Sequence, residues 1–148
     1  MNIDKLREEI EADEGRVNAV YLDHLKLPTC GIGHLIKESD PEYTLEVGTH
    51  IDDERINELF DQDISITLNE CKSLYNNFER LPEEAQLILA NMMFNMGKPR
   101  LSKFKKMNTA IAYEDYETAS DEMMDSKWYR QVTNRADRLV QRMKNIAS

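Results

Sequence analysis

Cysteine, proline and glycine are scarce in this chain of 148 residues, which contains two cysteines, four prolines and five glycines. Two cysteines are too few for a disulfide framework, so we interpret Cys30 and Cys71 as small buried thiols in a reducing compartment. With 41% hydrophobic and 32% charged residues, the composition is typical of a globular protein and excludes a disordered one.

Long hydrophobic runs are also absent. The N-terminal segment MNIDKLREEIEADEG is charged throughout, so it has neither the apolar core of a signal peptide nor a run that could span a bilayer. We therefore expect a cytoplasmic protein with no stable membrane association. If its substrate lies outside the cytoplasm, another component must let the protein through.

An excess of positive charge is missing too. The net charge is -9 at pH 7 and the pI is about 4.9. Nucleic-acid binding needs clusters of Lys and Arg to neutralise phosphates, so the charge argues against a nucleic-acid partner and against an anionic membrane surface. The basic stretches at 98–106 and 130–144 are interpreted as solvated helix faces.

The first third of the chain changes from a helical period to β-rich segments. Ile3, Leu6 and Ile10 recur at helical spacing, which predicts a helix over 3 to about 12. Gly15 is a natural helix terminator, so Glu14 is expected at the helix exit. The segments VNAVYL and TCGIGHL, separated by the turn-prone DHLKLP, predict a small antiparallel hairpin sheet.

The rest of the chain reads as helices after a polar surface loop at 37–50. The predicted helices are a long one from about 53 to 75, an almost wholly apolar one that starts with Pro82 and ends at Gly97 and Pro99, and three more over about 103–111, 114–125 and 134–146.

These elements predict a mostly α, α+β fold in a single domain, 1–148. The β-containing lobe would cover about 13–52, the connecting helix about 53–75, and the helical lobe about 76–148 together with the N-terminal helix. A cleft between two such lobes is a usual place for a ligand.

Three side chains near the hairpin have the right chemistry for cleaving a glycosidic bond. That reaction needs a carboxylic acid to protonate the leaving oxygen and a carboxylate to support an attacking water. Glu14 and Asp23 could flank such a bond, and the Thr29 hydroxyl could hold the water. Spacing alone is a weak signal, because the chain has 28 acidic residues.

The residues around these three positions are more specific. The stretch DEG-x5-YLD-x5-TCGIGHL closely resembles the catalytic segment of the T-even phage lysozymes, members of the phage endolysin family of glycoside hydrolases. LFDQD, NMMFNMG and SKWYRQVTNRA resemble later blocks of that family in the same order, so the resemblance covers nearly the whole chain. The family's motif positions are Glu14, Asp23, Thr29, Gly31, Gly33 and His34.

The resemblance implies a lysozyme-like fold and a muramidase. Such an enzyme hydrolyses the β-1,4 bond between N-acetylmuramic acid and N-acetylglucosamine in bacterial peptidoglycan, for host cell lysis. Glu14 would be the general acid, Asp23 the ionised partner and Thr29 a holder of the water, in an inverting reaction without cofactor or metal. The enzyme would be a monomer that stays in the host cytoplasm until a phage-encoded pore, a holin, gives access to the periplasm or wall.

The resemblance also implies supporting residues. His34 on the hairpin and Asp63 on the long helix match a structural pair, and Arg135 matches an arginine near the catalytic glutamate. Leu35 and Phe94 match positions that contact substrate. The alternative for Phe94 is a core position, because an aromatic residue in an apolar helix is usually buried.

Two other interpretations stay open. Cys30 with His24 and His34 could serve a cysteine peptidase or a zinc amidase, although none of the histidines lies in a paired ligand motif. A lysozyme-like module without strong activity, which binds the wall or belongs to a phage tail, could keep the same fold. Chemically competent residues at all three catalytic positions favour the enzyme.

Overall fold

Helices make up most of the molecule, and a small antiparallel sheet lies near its N-terminus. The structure is a computed structural model that describes residues 1–147, so Ser148, the end of the predicted domain, lies outside the described residues. The mostly α, α+β class predicted from the sequence is confirmed. The elements are α1 (Ile3–Glu14), β1 (Val17–Leu22), β2 (Pro28–Gly31), β3 (His34–Leu35), α2 (Asp53–Leu74), α3 (Glu83–Met96), α4 (Lys98–Leu101), α5 (Lys105–Ala112), α6 (Tyr116–Met124), α7 (Lys127–Gln131) and α8 (Thr133–Ala147).

The chain forms two compact units. The β-containing unit is Arg7–Ile66, and the helical unit is Met1–Leu6 together with the chain from Thr67 onward. Both boundaries lie inside helices, α1 and α2, so each of these helices contributes residues to both units. The single domain expected from the sequence stays a prediction.

The sheet of the β-containing unit has the strand order β1-β2-β3, with both pairs antiparallel. Tyr21 is the partner of Thr29, and Thr29 is in turn the partner of Leu35. These two pairs form one continuous row of side chains across all three strands. The register between β1 and β2 shifts between Val17 and Tyr21, which marks a β-bulge or a similar irregularity.

The edge of β1 that does not pair with β2 is covered by the end of the segment 37–50, which the sequence predicted to be a surface loop. Val20 donates a backbone hydrogen bond to the Thr49 carbonyl at 2.9 Å, and Ile51 donates to the Asn18 carbonyl at 3.0 Å. The same loop contains a short 3-10 helix, Pro41–Thr44. The loop prediction was incomplete because these backbone groups find partners on β1, which a local pattern does not reveal.

The core of the helical unit contains α3, as its apolar sequence predicted. Most of its side chains are buried, and Gly97 ends it with a φ of 81°. Pro99, predicted only to end this helix, instead lies in the first turn of α4, where a proline fits well.

The remaining helices of this unit lie close to their predicted bounds, apart from α7, which the sequence analysis missed. The Ser126 side chain caps α7 by accepting a hydrogen bond from the Tyr129 backbone. None of the helices in residues 1–147 is long and apolar enough to cross a membrane.

Candidate active site

Glu14 is the last residue of α1 and is half-buried. Gly15 follows with a φ of 77°, a conformation that suits glycine and turns the chain out of the helix. The Glu14 carboxyl group packs directly against Gly33, whose φ is 63°. A Cβ atom on Gly33 would lie 2.3 Å from Glu14 Oε1, so the absence of a side chain there makes room for the carboxyl group.

Asp23 follows β1 and organises the turn to β2. Its Oδ1 accepts hydrogen bonds from the backbone N–H groups of Leu25 at 2.8 Å and Leu27 at 2.9 Å. Lys26, between them, has a positive φ of 63°. These bonds hold the half-buried carboxylate at the end of the strand, so the hairpin tip orients it.

Thr29 lies in β2 and is only 5% exposed. Its hydroxyl donates a hydrogen bond to the Leu27 carbonyl oxygen at 2.9 Å. Because the single hydroxyl proton is used in this bond, the lone pairs of Oγ1 remain as acceptors. Thr29 is therefore arranged to receive a proton-bearing group such as a water molecule.

The strand register brings Thr29 together with two neighbours on one face of the sheet. Cross-strand partners carry their side chains on the same face, so Tyr21, Thr29 and Leu35 form one row. Asp23 lies two residues beyond Tyr21, directly after β1 ends at Leu22. Gly33, which contacts Glu14, is two residues before Leu35.

Tyr21 was not singled out in the sequence, although it lies beside both carboxylates. Burial raises the pKa of its phenol, and the charges of Glu14 and Asp23 raise it further. The YLD segment carried the signal, since a residue two positions before Asp23 in a strand shares its face.

The structure brings His34 and Asp63, the structural pair that the resemblance implied, within hydrogen-bond distance, and His34 has a second acidic partner. His34 is 2% exposed, with Nδ1 2.7 Å from Asp63 Oδ2 and Nε2 2.8 Å from Asp40 Oδ2. Burial lowers the pKa of His34, but the hydrogen bonds and charges of the two aspartates outweigh it, so the net shift is upward. Asp40 was missed because it lies in a polar loop, where an aspartate carries no specific signal.

Cys30 is fully buried, and burial raises the pKa of its thiol to about 11. A nucleophilic cysteine needs an accessible thiolate, so the environment of Cys30 is the opposite of what a cysteine peptidase requires. Both nitrogens of His34 face aspartates, which leaves neither for Cys30. Within residues 1–147 no three His, Cys, Asp or Glu side chains are grouped as metal ligands.

Phe94 and Arg135 belong to the helical unit, and their predicted roles stay predictions. Phe94 is half-buried on α3. Arg135, on α8, donates from Nε to the Oδ1 of the buried Asn91 at 2.9 Å. The guanidinium is thus oriented by a residue of the core helix.

The helical unit also contains a pocket of about 570 Å³ with a positively charged rim. Phe104, Met107 and Trp128 supply apolar surface, and Glu122 and Asp125 are its acidic members. In a chain of net charge -9, this is a local concentration of cations that can attract an anionic group. The cationic lining residues are Arg100, Lys103, Lys105, Lys106 and Lys127.

Known proteins resemble this chain over most of its length. The family model described as phage lysozyme matches residues 11–145. The chain is 28% identical over 160 residues to probable T4-type lysozyme 2 of Dictyostelium discoideum, an alignment that covers 93% of this chain and 92% of that protein.

Two phage proteins are also similar, each over a small part of its own length. The pre-baseplate central spike protein Gp5 of Enterobacteria phage T4 is 29% identical over 153 residues, which covers 91% of this chain and 27% of that protein. The peptidoglycan hydrolase gp36 of Pseudomonas phage phiKMV is 27% identical over 113 residues, which covers 76% of this chain and 12% of that protein. Since the family model spans nearly the whole sequence, the chain belongs to the phage lysozyme family and is a glycoside hydrolase of the lysozyme type.

Proposed function

We propose that this lysozyme hydrolyses the β-1,4 bond between N-acetylmuramic acid and N-acetylglucosamine in peptidoglycan, and that it serves the lysis of a bacterial host cell. The observation that carries the proposal is that the Glu14 carboxyl group packs against Gly33, in the turn before β3, while Asp23 directly follows β1, whose Tyr21 pairs with Thr29. The name of one relative, a peptidoglycan hydrolase, supports the same substrate.

In the proposed reaction, Glu14 acts as the general acid. It transfers its proton to the glycosidic oxygen while the bond from that oxygen to the anomeric carbon breaks, and the bonding electrons stay on the leaving oxygen. A water molecule attacks the anomeric carbon from the opposite side and passes a proton to Asp23. One displacement inverts the configuration at the anomeric carbon.

Asp23 and Thr29 would hold that water. The Asp23 carboxylate is fixed by two backbone N–H groups on Oδ1, and Oδ2 takes no part in those two bonds. The Thr29 hydroxyl donates its proton in a hydrogen bond to the Leu27 carbonyl, so its oxygen has only acceptor lone pairs left to offer the water. Both groups can therefore accept hydrogen bonds from the water, which orients its oxygen toward the sugar.

Substrate contacts are proposed in both units. Leu35 is the strand partner of Thr29 and is 47% exposed, so it can pack against a sugar ring beside the water. In the helical unit, Phe94 would contact the glycan, and the positively charged pocket would attract carboxylates of the wall peptides. Arg135 would be a supporting residue of the helical unit, while His34 and Asp63 would stabilise the hairpin.

We further propose that the enzyme acts as a monomer and waits in the host cytoplasm until a holin pore gives it access to the wall. A second candidate function is a wall-binding module of a phage tail. The similarity to a phage spike protein supports this candidate. The two candidates differ in whether the chain by itself releases reducing ends.

The test is digestion of purified peptidoglycan, with chemical reduction and identification of the new reducing-end sugar. The parent protein should release N-acetylmuramic acid ends, and Glu14→Gln should lose this activity by orders of magnitude, since it keeps the shape and removes the acid. Glu54→Gln, which changes an exposed glutamate on α2, is the matched control. A parent that releases no ends would favour the wall-binding module.

A further inference from the structure

We propose that Tyr21 is a fourth member of the active site, whose hydroxyl donates a hydrogen bond to the attacking water and orients it. This inference rests on the proposed function and adds a donor to the two acceptors, Asp23 and Thr29. Nothing in the resemblance to the family assigned a role to this residue.

The strand register places Tyr21 beside both water-binding residues. Tyr21 is the direct partner of Thr29, and paired side chains on one sheet face have Cβ atoms about 5 Å apart. Asp23 directly follows β1, two residues beyond Tyr21, and its charge raises the pKa of Tyr21. Tyr21 is half-buried, so the ring contributes a wall and still borders the open face.

The hydroxyl of Tyr21 is available as a donor. Within residues 1–147, the structure gives it no hydrogen-bond partner, whereas other tyrosines have one. Tyr75 bonds Asn108 at 2.6 Å, and Tyr129 bonds Asp137 at 3.0 Å. A half-buried donor that lies near two carboxylates and has no protein partner is suited to bind water or substrate.

The phenol also keeps its proton under the conditions of catalysis. Burial and the charges of Glu14 and Asp23 raise its pKa above the ordinary value of 10.0. The hydroxyl is therefore protonated over the whole range in which carboxylates titrate.

The hydrogen-bonding capacity of water explains why a donor is needed. The water donates one hydrogen bond to Asp23, which later takes that proton, and one to Thr29, while one lone pair attacks the anomeric carbon. The second lone pair is left for a donor, which neither of those residues can supply, because the proton of Thr29 is bound by Leu27. Tyr21 is the neighbouring side chain with a proton to give.

The experiment measures kcat and KM on a soluble peptidoglycan oligomer that contains the bond from N-acetylmuramic acid to N-acetylglucosamine, for the parent and for Tyr21→Phe. The variant keeps the ring and removes the donor. Loss of one orienting hydrogen bond should lower kcat about tenfold, while KM and the melting temperature stay at the parental values. Tyr43→Phe, an exposed tyrosine of the same unit, should have no effect.

A double-mutant cycle separates water positioning from a structural role. If Tyr21 and Asp23 hold the same water, Tyr21→Phe should have a much smaller effect in an Asp23→Asn background than in the parent. If the losses of kcat in the two single variants simply multiply in the double variant, the inference is overturned. It is also overturned if Tyr21→Phe keeps the parental kcat, or if the variant changes only KM. A kcat that falls only together with the melting temperature would show a structural role and overturn it as well. A parental enzyme that cleaves no glycan would instead refute the proposed function itself.

Discussion

The two units of this lysozyme use their buried polar residues differently. In the helical unit these residues are neutral: Gln86 donates to the Leu81 carbonyl at 2.8 Å, and Asn91 accepts a hydrogen bond from Arg135. In the β-containing unit Thr29 is also neutral, but His34 and Glu42 are ionisable and bond to side chains of other segments. His34 bonds Asp40 and Asp63, and the buried Glu42 receives two hydrogen bonds from Arg55 at 2.8 and 2.9 Å.

This difference shows how each unit is held together. The helical unit packs its helices around the apolar α3, and its buried polar side chains are neutral and hydrogen-bonded within that packing. The β-containing unit has short strands and a long connection, so ion pairs fix the positions of its segments. The proposed catalytic residues lie in the unit that depends on charge, and we expect that unit to respond more to single substitutions and to pH.

The largest effect is expected from Asp23→Asn. The amide keeps a carbonyl oxygen for the N–H groups of Leu25 and Leu27, so the turn should persist while the proton acceptor is lost. Activity on peptidoglycan should fall about 10²–10⁴-fold. Asp52→Asn, at an exposed aspartate, should retain parental activity. Equal activities for the two variants would remove Asp23 from the site.

Gly33→Ala should lower activity about 10²-fold, because the new Cβ would displace the Glu14 carboxyl group that lies 2.3 Å from its position. Gly48→Ala is the matched control, since Gly48 also has a positive φ, of 94°, but no atom lies within 4 Å of its added Cβ. Both variants should lose stability through backbone strain. Only Gly33→Ala should lose activity per folded molecule, as measured by lysis rate and circular dichroism.

His34→Gln should lower the free energy of unfolding by about 3–5 kcal/mol, because it leaves two aspartates without the buried cation between them. The exposed pair of His50 and Asp52, 3.1 Å apart, provides the comparison. His50→Gln should change stability by less than about 1 kcal/mol in the same urea titrations. Similar losses would mean that the buried charges are not what holds the β-containing unit together.

The stability difference between the parent and His34→Gln should also depend on pH. The raised pKa of His34 means that its contribution is complete below the ordinary value of 6.5 and is lost as pH rises through the raised value. The lowered pKa of Asp40 means that its contribution is complete above 3.8 and is lost as pH falls through the lowered value. The difference should therefore be widest between these limits, and a pH-independent difference would contradict the ion-pair account.

The smallest effect concerns salt. The chain carries a net charge of -9, and a like-charged wall would repel it, so moderate salt should increase the rate of lysis a few-fold by shortening the Debye length to about 10 Å at 0.1 M. The measurement is lysis of cell-wall suspensions at increasing sodium chloride. A steep, monotonic loss from low salt upward would show that the positively charged pocket, and not the net charge, governs binding.

The helices were predictable from the sequence because their periodicity and terminators are local. Gly15 and Gly97 end helices as predicted, with φ values of 77° and 81°. The long helix predicted over about 53 to 75 is Asp53–Leu74. The short helix Lys127–Gln131 was missed because five residues are too few to show a period.

The candidate site was only partly predictable. The family resemblance of the surrounding residues predicted Glu14, Asp23 and Thr29 as catalytic, and this stays a prediction; the strand register and the contact of Glu14 with Gly33 are long-range features that the sequence does not give. Tyr21 and Asp40 were missed, Tyr21 despite the local signal of the YLD segment and Asp40 because an aspartate in a polar loop has no specific signal. Each acquires its significance from a partner in another segment, Thr29 for Tyr21 and His34 for Asp40.

Single displacement by a water held at the sheet face is the central claim, and the configuration of the first product tests it most directly. Proton NMR during hydrolysis of a soluble glycan can resolve the new reducing end before mutarotation. If Asp23 and Thr29 deliver water to a β-linked sugar, the α-anomer should form first. Initial formation of the β-anomer would show a double displacement, with Asp23 bonded to the sugar, and would contradict the water-holding role of the sheet face.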